Sequence, residues 1–328
     1  MKKRIIALLI GLVVGNNLVF SQQDSIHIGF ILSDLYSARW YNDMIFFKER
    51  ALEKGVKVTF IDCYDQIEKQ KEAAIKLANI GVDCIVLVPI DSHDKQVVSI
   101  AKNANIPLVT YDRFLFDSDV KLCISFNSVK VGEMMAEQVM SKLESGEIFF
   151  LGGPKSDFNS TLVRKGVVSS LKDKRNNYKL SIKHATDWSE ISAFIEVQNY
   201  FDENGSFPDA IICASDDLTK GALLAVEEKG YLGKVLLTGQ DATIEVCKSI
   251  LKDDVLMTVY KSNKKLAYAS VDAILNMLKG NILEFNEEAN TQFMQVPAIF
   301  EEPELITKEN LVEVLVSKGI YSEKSLKE

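Results

Sequence analysis

The chain of 328 residues is short of what several function classes require. Its five cysteines are odd in number and without tight spacing, and Cys84, Cys123 and Cys213 lie inside apolar, strand-like runs. Thiols so placed behave as small buried hydrophobes rather than as a disulfide framework. The three histidines, His27, His93 and His184, share no ligand spacing with one another or with a cysteine, so neither a metal nor another cofactor is expected. Positive charge is also in the minority: 38 Lys and Arg stand against 46 Asp and Glu, a net charge of −8, and the basic residues form no cluster. Nucleic-acid binding works by neutralising phosphates with such clusters, which argues against a polyanionic partner. Long apolar stretches are missing as well. The longest, residues 5–14 behind Lys2-Lys3-Arg4, is too short to span a bilayer comfortably. With Val19-Phe20-Ser21 after it, the stretch reads as a cleavable signal peptide over residues 1–22. Since no cysteine precedes Cys63, a lipid anchor at the mature N-terminus is not expected, and the reading is a soluble periplasmic protein.

What the chain does have is 47% hydrophobic content, ample for two cores at this length. Apolar runs of strand length alternate with helical patterns of ten or more residues. Strands are expected at 26–32, 56–61, 84–89 and 106–109, with helices at 39–54, 67–80 and 95–103 between them. Such alternation without hairpin turns reads as βαβ units and a parallel sheet. A strand at 122–126 and a helix at 129–143 follow, and the alternation then restarts: 147–151, 161–171, 180–184, 190–201, 210–214, 218–229 and 234–238. A strand at 256–260, a helix at 264–279 stopped by Gly280 and a helical tail at 309–318 complete the pattern. The fold class is α/β, two doubly wound domains. No flexible tether separates them, which suggests a hinge with a cleft between.

The stretch that organises the chain is Thr110-Tyr111-Asp112-Arg113-Phe114, at the end of the 106–109 strand. In open α/β sheets that edge is where ligands sit. A carboxylate beside a guanidinium, flanked by aromatics, offers acceptors, a fork of donors and an apolar face. A polyol needs that mixture, because every hydroxyl both donates and accepts while the ring's C–H face stays apolar. Other strand ends repeat the character: Asp34 with Arg39 and Trp40, Asn127, Asp157 with Asn159, Asp187-Trp188, Asp216-Asp217, Gln240-Asp241 and Lys261. Singly, each Asp also suits a helix N-cap, and each Trp also suits a core. Together, the polar groups outnumber what capping requires.

These residues carry a resemblance. Asp34-Leu35 followed by Arg39-Trp40, Tyr111-Asp112-Arg113, Ile124 to Asn127, Val131-Gly132-Glu133, Gly239-Gln240-Asp241-Ala242 and Met257 to Lys261 occur in the order seen in the xylose-binding members of the type I periplasmic sugar-binding family of ABC importers. The chain resembles that family over essentially its whole mature length. The resemblance implies two Rossmann-like lobes joined by three hinge crossings, near 126–127, 258–261 and 292–297. It divides the chain into an N-terminal lobe of 26–126 plus 261–292 and a C-terminal lobe of 127–260 plus 293–328. Arg39, Trp40, Asp112, Arg113, Asp157, Asn159, Trp188, Asp216, Asp241 and Lys261 fall on its sugar-contacting positions. In two places the chain departs from the pattern. Asp216 stands where the family has Asn, leaving acceptors only unless the carboxyl is protonated. The family's stacking tryptophan aligns with Trp188 or, ungapped, with His184, and the local pattern Thr186-Asp187-Trp188 favours the former.

The implied function is capture of a monosaccharide, D-xylose first, and delivery to the membrane subunits of an ABC permease. The alternative is presentation of the closed form to a membrane sensor kinase or chemoreceptor. Paired carboxylates also suit glycoside hydrolysis, yet polyol binding needs the same groups, and enzyme activity is not expected. A transcriptional repressor shares this core but carries a helix-turn-helix before the first strand, the place that the signal peptide takes here.

Overall fold

Aliphatic and β-branched runs become strands covered by helices on both faces, the arrangement that lets an all-apolar strand persist. The computed structural model describes residues 25–174, 176–281, 285–290 and 294–327, so the signal peptide expected over 1–22 lies outside the described residues. The first half builds β1 (His27–Leu32), α1 (Ala38–Glu53), β2 (Lys57–Asp62), α2 (Ile67–Asn79), β3 (Cys84–Leu87), α3 (Gln96–Asn103), β4 (Leu108–Tyr111) and β5 (Leu122–Phe126). The second builds α4 (Ser128–Lys142), β6 (Gly146–Gly152), α5 (Phe158–Leu171), β7 (Tyr178–His184), α6 (Glu190–Asn204), β8 (Ala210–Cys213), α7 (Asp216–Glu228), β9 (Leu236–Gln240), α8 (Ile244–Leu251) and β10 (Met257–Tyr260). The chain then returns through α9 (Asn263–Leu278), β11 (Glu287–Asn290) and β12 (Gln295–Glu301), and ends with β13 (Glu304–Thr307), a π-helical turn (Val312–Val316) and α10 (Glu323–Lys327).

Two sheets result, ordered β11-β12-β5-β4-β3-β1-β2 and β13-β10-β9-β8-β6-β7. Within each, the parallel strands follow one scheme. The second strand of a lobe flanks the first, and the third lies on the first's other side. The antiparallel members are β11 and β13, at one edge of each sheet. The architecture is therefore two doubly wound α/β lobes, as expected. Phe30 anchors one core, packed on Phe47 at 4.8 Å and Tyr111 at 5.1 Å between ring centroids. In the other, Phe149 packs on Tyr200 at 4.7 Å. All five cysteines are buried free thiols, and among the described residues no helix is long and apolar enough to cross a membrane.

Several expectations need correction. β4 continues to Tyr111, so Asp112 follows the strand directly instead of after a two-residue gap. α8 was not foreseen, nor were β11, β12 and β13. The third crossing does not fall near 292–297, and residues 295–301 do not belong with the C-terminal lobe. β12 runs parallel to β5 in register from Ala298 opposite Cys123 to Glu301 opposite Phe126, which buries Val296 and Ala298 in the first lobe's core. The chain changes lobe at 302–303 instead, where β13 leaves to pair with β10.

Candidate functional site

Both lobes have the strand order in which a crevice opens outside the carboxyl ends of the first and third strands. After β1 a turn held by Asp34 Oδ1, which accepts the Ser37 amide at 2.8 Å, launches α1 with Arg39 and Trp40 in its first turn. After β4, Asp112 takes a φ of +62°, a region that Asp tolerates better than most residues. Its amide donates to Ile124 O, and its carbonyl accepts Ser125 Oγ at 2.5 Å. After β6, Asp157 caps α5 by accepting the Asn159 amide at 3.0 Å. After β9, Asp241 and Ala242 both have positive φ, +103° and +52°. Lys261 follows β10 at a crossing between lobes.

These side chains meet between the lobes. Arg39 of the first lobe donates through Nη2 to Asp112 and through Nη1 to Asp241 Oδ1 of the second lobe, at 2.7 Å. Lys261 Nζ reaches the same Asp241 oxygen at 2.9 Å. Arg113 Nε lies 2.8 Å from Asp157 Oδ2, again across the crevice, while its Nη1 donates to Pro89 O at 3.3 Å. Trp188 Nε1 donates to that Asp157 oxygen at 3.1 Å. Asn159 Nδ2 donates to Asp112 O at 3.0 Å, a third tie between lobes, and its buried Oδ1 has no partner. Trp40 lies beneath both guanidinium groups, 5.0 Å from Arg39 and 5.3 Å from Arg113. Phe126 sits 5.8 Å from Arg39 and 5.9 Å from Lys261 Nζ.

Burial and pairing set the carboxylates apart. Burial works against ionised Asp241, but Lys261 and Arg39 outweigh it and hold the group below the usual carboxylate range. At Asp157 burial wins and raises the pKa, although Arg113, the Asn159 amide and the Trp188 indole oppose it. Asp43, on α1 one turn beyond Arg39, is pushed up to about 7 by burial, against the pull of Arg39 and the Tyr111 hydroxyl.

All the expected side chains except Asp216 gather in this cluster. Asp216 is fully buried behind it: Oδ2 accepts the Thr243 amide at 2.6 Å and the Thr243 hydroxyl at 3.1 Å, and Oδ1 accepts Thr258 Oγ1 at 2.8 Å. Burial, reinforced by Asp241, raises its pKa well above the usual range and favours the neutral acid. Its position behind the cluster sets it apart from the other expected side chains. Asp216 braces the turn that carries Asp241, and Thr258 Oγ1 also accepts the Ala242 amide at 3.3 Å. Of the two candidates for stacking, Trp188 joins the cluster and His184 does not. A Cβ on Gly153 would come within 2.4 Å of the Trp188 ring, so the indole lies against bare backbone there. His184 Nδ1 sits 2.9 Å from Gly153 O, and the imidazole lines a separate groove of about 440 Å³ with Lys155, Thr161, Arg164 and Ile182.

Asp43 and Phe126 are not among the expected contributors, and Tyr111 is expected only as an aromatic beside Asp112. Asp43 has a sequence signal: it lies four residues from Arg39 and from Phe47, on the buried face of α1 with Trp40 and Ala51. A carboxylate on an apolar stripe calls for a partner, and Tyr111 supplies one, its hydroxyl donating to Oδ1 at 2.5 Å. Phe126 offers no signal beyond its place at the end of β5.

The cluster offers carboxylates, guanidinium forks, an ammonium and a primary amide, with two indole rings beside them. Such a set can hydrogen-bond a small ligand bearing several hydroxyls and cover its apolar faces.

Comparison with known proteins agrees. The periplasmic binding protein domain matches residues 28–282. The chain is 29% identical over 320 residues to a D-xylose-binding periplasmic protein of Haemophilus influenzae, covering 95% of this chain and 96% of that protein. It is 28% identical over 312 residues to a D-xylose-binding periplasmic protein of Escherichia coli, covering 94% of each. Among solved structures, an ABC transporter solute-binding protein of Clostridium phytofermentans with bound β-D-glucose superposes with a TM-score of 0.84 at 21% identity, covering 92% of this chain and 99% of that one. By its sequence and by its two lobes, the chain belongs to the periplasmic binding protein family and has the type I architecture.

Proposed function

We propose that the protein captures a monosaccharide, D-xylose in the first instance, between its two lobes in the periplasm and delivers it to the membrane subunits of an ABC permease, without altering it. The observation that carries this reading is the pair of ion pairs across the crevice, Arg39 to Asp241 and Arg113 to Asp157, both beside Trp40. Sugar hydroxyls entering that seam find donors and acceptors from each lobe at once. Closure then adds contacts that an open crevice lacks, and such differential affinity is what allows a ligand to shift a hinge equilibrium. In this reading Arg39, Asp112, Arg113, Asn159, Asp241 and Lys261 bond the hydroxyls, Trp40 and Trp188 cover the ring, and Asp157 and Asp216 hold their neighbours in place. Hydrogen bonds to charged groups are worth about 1.5–3 kcal/mol each, and micromolar binding needs only about 8 kcal/mol in total.

The xylose-binding relatives support the choice of sugar, whereas the glucose-bound structural neighbour keeps hexoses in the test. Calorimetric titration of the mature protein with xylose, ribose, arabinose, glucose and galactose decides it. Tight binding of xylose alone, with the sugar recovered chemically unchanged, is the expected result. Preference for another sugar removes the xylose assignment, and recovery of a modified sugar removes the transport reading.

A further inference from the structure

We propose that Asp43, together with Tyr111, is a positioning residue of the crevice: it steers the Arg39 guanidinium, and through it couples sugar affinity to the protonation of a carboxyl that no sugar touches. The proposal rests on the crevice being the sugar site, and its test includes a measurement that needs no sugar.

The geometry is that of a contact almost made. Asp43 is fully buried on the inner face of α1. Its Oδ1 accepts the Tyr111 hydroxyl, while its Oδ2 stands 3.7 Å from Arg39 Nε. Neither Oδ2 nor Nε meets a partner at hydrogen-bonding distance and angle, although the Asn263 amide lies near enough to favour ionised Asp43. A buried donor and a buried acceptor left unpaired each carry a desolvation penalty, and here the two face one another just beyond bonding distance. Small rotations of Arg39 decide whether they meet. The same rotations move Nη1 and Nη2, which hold Asp241 and Asp112.

The charges around Asp43 define the balance. Arg39 faces it from its own helix, Tyr111 and Asp112 face it from the end of β4, and from α9 the Asn263 amide favours its ionised form. Asn263 Nδ2 also donates to Arg39 O at 3.4 Å, tying α9 to the same turn of α1. In the crevice three cations, Arg39, Arg113 and Lys261, meet three carboxylates, Asp112, Asp157 and Asp241. Asp43 is a further carboxyl beside this network, and burial, the largest influence on it, raises its pKa to about 7.

When Asp43 is ionised, Oδ2 draws Nε inward, and the two terminal nitrogens stay aimed at the crevice. When it is neutral that hold is lost, and Arg39 is left to follow Asp241 as the lobes move. A pre-set fork binds more tightly than one that must be ordered by the ligand.

The test is calorimetric titration with xylose from about pH 5 to about pH 9 for wild type, Asp43→Asn and Tyr111→Phe. The wild type is expected to lose about three- to tenfold in affinity as the pH falls through neutrality, the worth of one hydrogen bond. Asp43→Asn should bind with the weaker affinity throughout and show no such step. Tyr111→Phe removes a donor that favours the ionised form, so its step should move to higher pH. An Asp43→Asn profile that overlays the wild type overturns the proposal. If the wild type binds none of the sugars offered, the sugar-site reading fails, and NMR of the Arg39 Nε–H group in the sugar-free protein still decides this one. A shift that titrates near neutrality in wild type and stays fixed in Asp43→Asn supports it. A wild-type signal that does not move over that range sinks it.

Discussion

Arg113 of the first lobe and Asp157 of the second are joined across the crevice, Nε to Oδ2 at 2.8 Å, and the oxygen that receives the guanidinium also receives the Trp188 indole. One carboxylate oxygen thus fixes a cation from one lobe and an aromatic ring from the other. Its second oxygen caps α5.

Arg113→Ala removes a charged donor from this seam and leaves Asp157 buried without its main counter-charge. The expected result is a ten- to hundredfold rise in the dissociation constant for the sugar, corresponding to about 1.5–3 kcal/mol, read by calorimetry. An affinity within about twofold of wild type would refute the site assignment.

Asp157 separates two duties. Asn is as good an N-cap as Asp, so Asp157→Asn should keep α5 intact while weakening the tie to Arg113. Asp157→Ala should lose both, with about 1 kcal/mol of stability going with the cap. Urea unfolding of the two variants beside sugar titration checks this. Equal stability for both would show that the cap contributes nothing.

The pH dependence of stability follows from Asp43. An unfolded Asp titrates near 3.9, and in the folded chain burial raises the group to about 7. Between those values the folded state holds a proton that the unfolded state has released, so its stability contribution is complete below about pH 4 and is lost as the pH rises through about 7. Relative to Asp43→Asn, the wild type should therefore lose stability over that range, on the order of a few kcal/mol. Denaturant unfolding at several pH values gives the difference directly, and a flat difference would contradict the buried carboxyl.

α4 and α5 touch through glycines. A Cβ on Gly132 would sit 2.0 Å from Val163 O, and one on Gly166 would sit 2.0 Å from Val129 O. Backbone oxygens cannot step aside as a side-chain tip can, so Gly132→Ala or Gly166→Ala should cost at least about 1–3 kcal/mol by forcing the helices apart. Thermal melting tests it. Unchanged melting would mean that the helix pair has slack.

The alternation of apolar runs and helices was legible because parallel strands, covered on both faces, leave uninterrupted hydrophobic stretches such as 84–87 and 210–213. The strand ends that line the crevice were legible for the same reason, since the polar residue that breaks each run marks its carboxyl end. α8, no shorter than the α3 that the pattern does predict, went unread between the polar turn at 241–243 and the strand at 256–260. β11, Glu-Glu-Ala-Asn, has no strand composition and forms only because β12 offers it an edge. β12 carries Pro297, a residue that usually argues against an interior strand, so its membership of the first sheet was hidden. The bonds of Asp216 to Thr243 and Thr258 were not legible, because a strand end tells which edge a residue leaves but not whether its side chain turns toward the opening or back beneath the next turn.

The late return of β12 to the first sheet also has a consequence for how the chain is made. Until residues 295–301 have been synthesised, β5 is an open, hydrophobic edge, a template for pairing with any neighbouring chain. All of the second lobe from α4 to β10 emerges before that edge can be covered. The first lobe is thus first to begin and among the last to finish, and a nascent chain halted anywhere short of β12 carries an aggregation hazard that the finished protein has sealed.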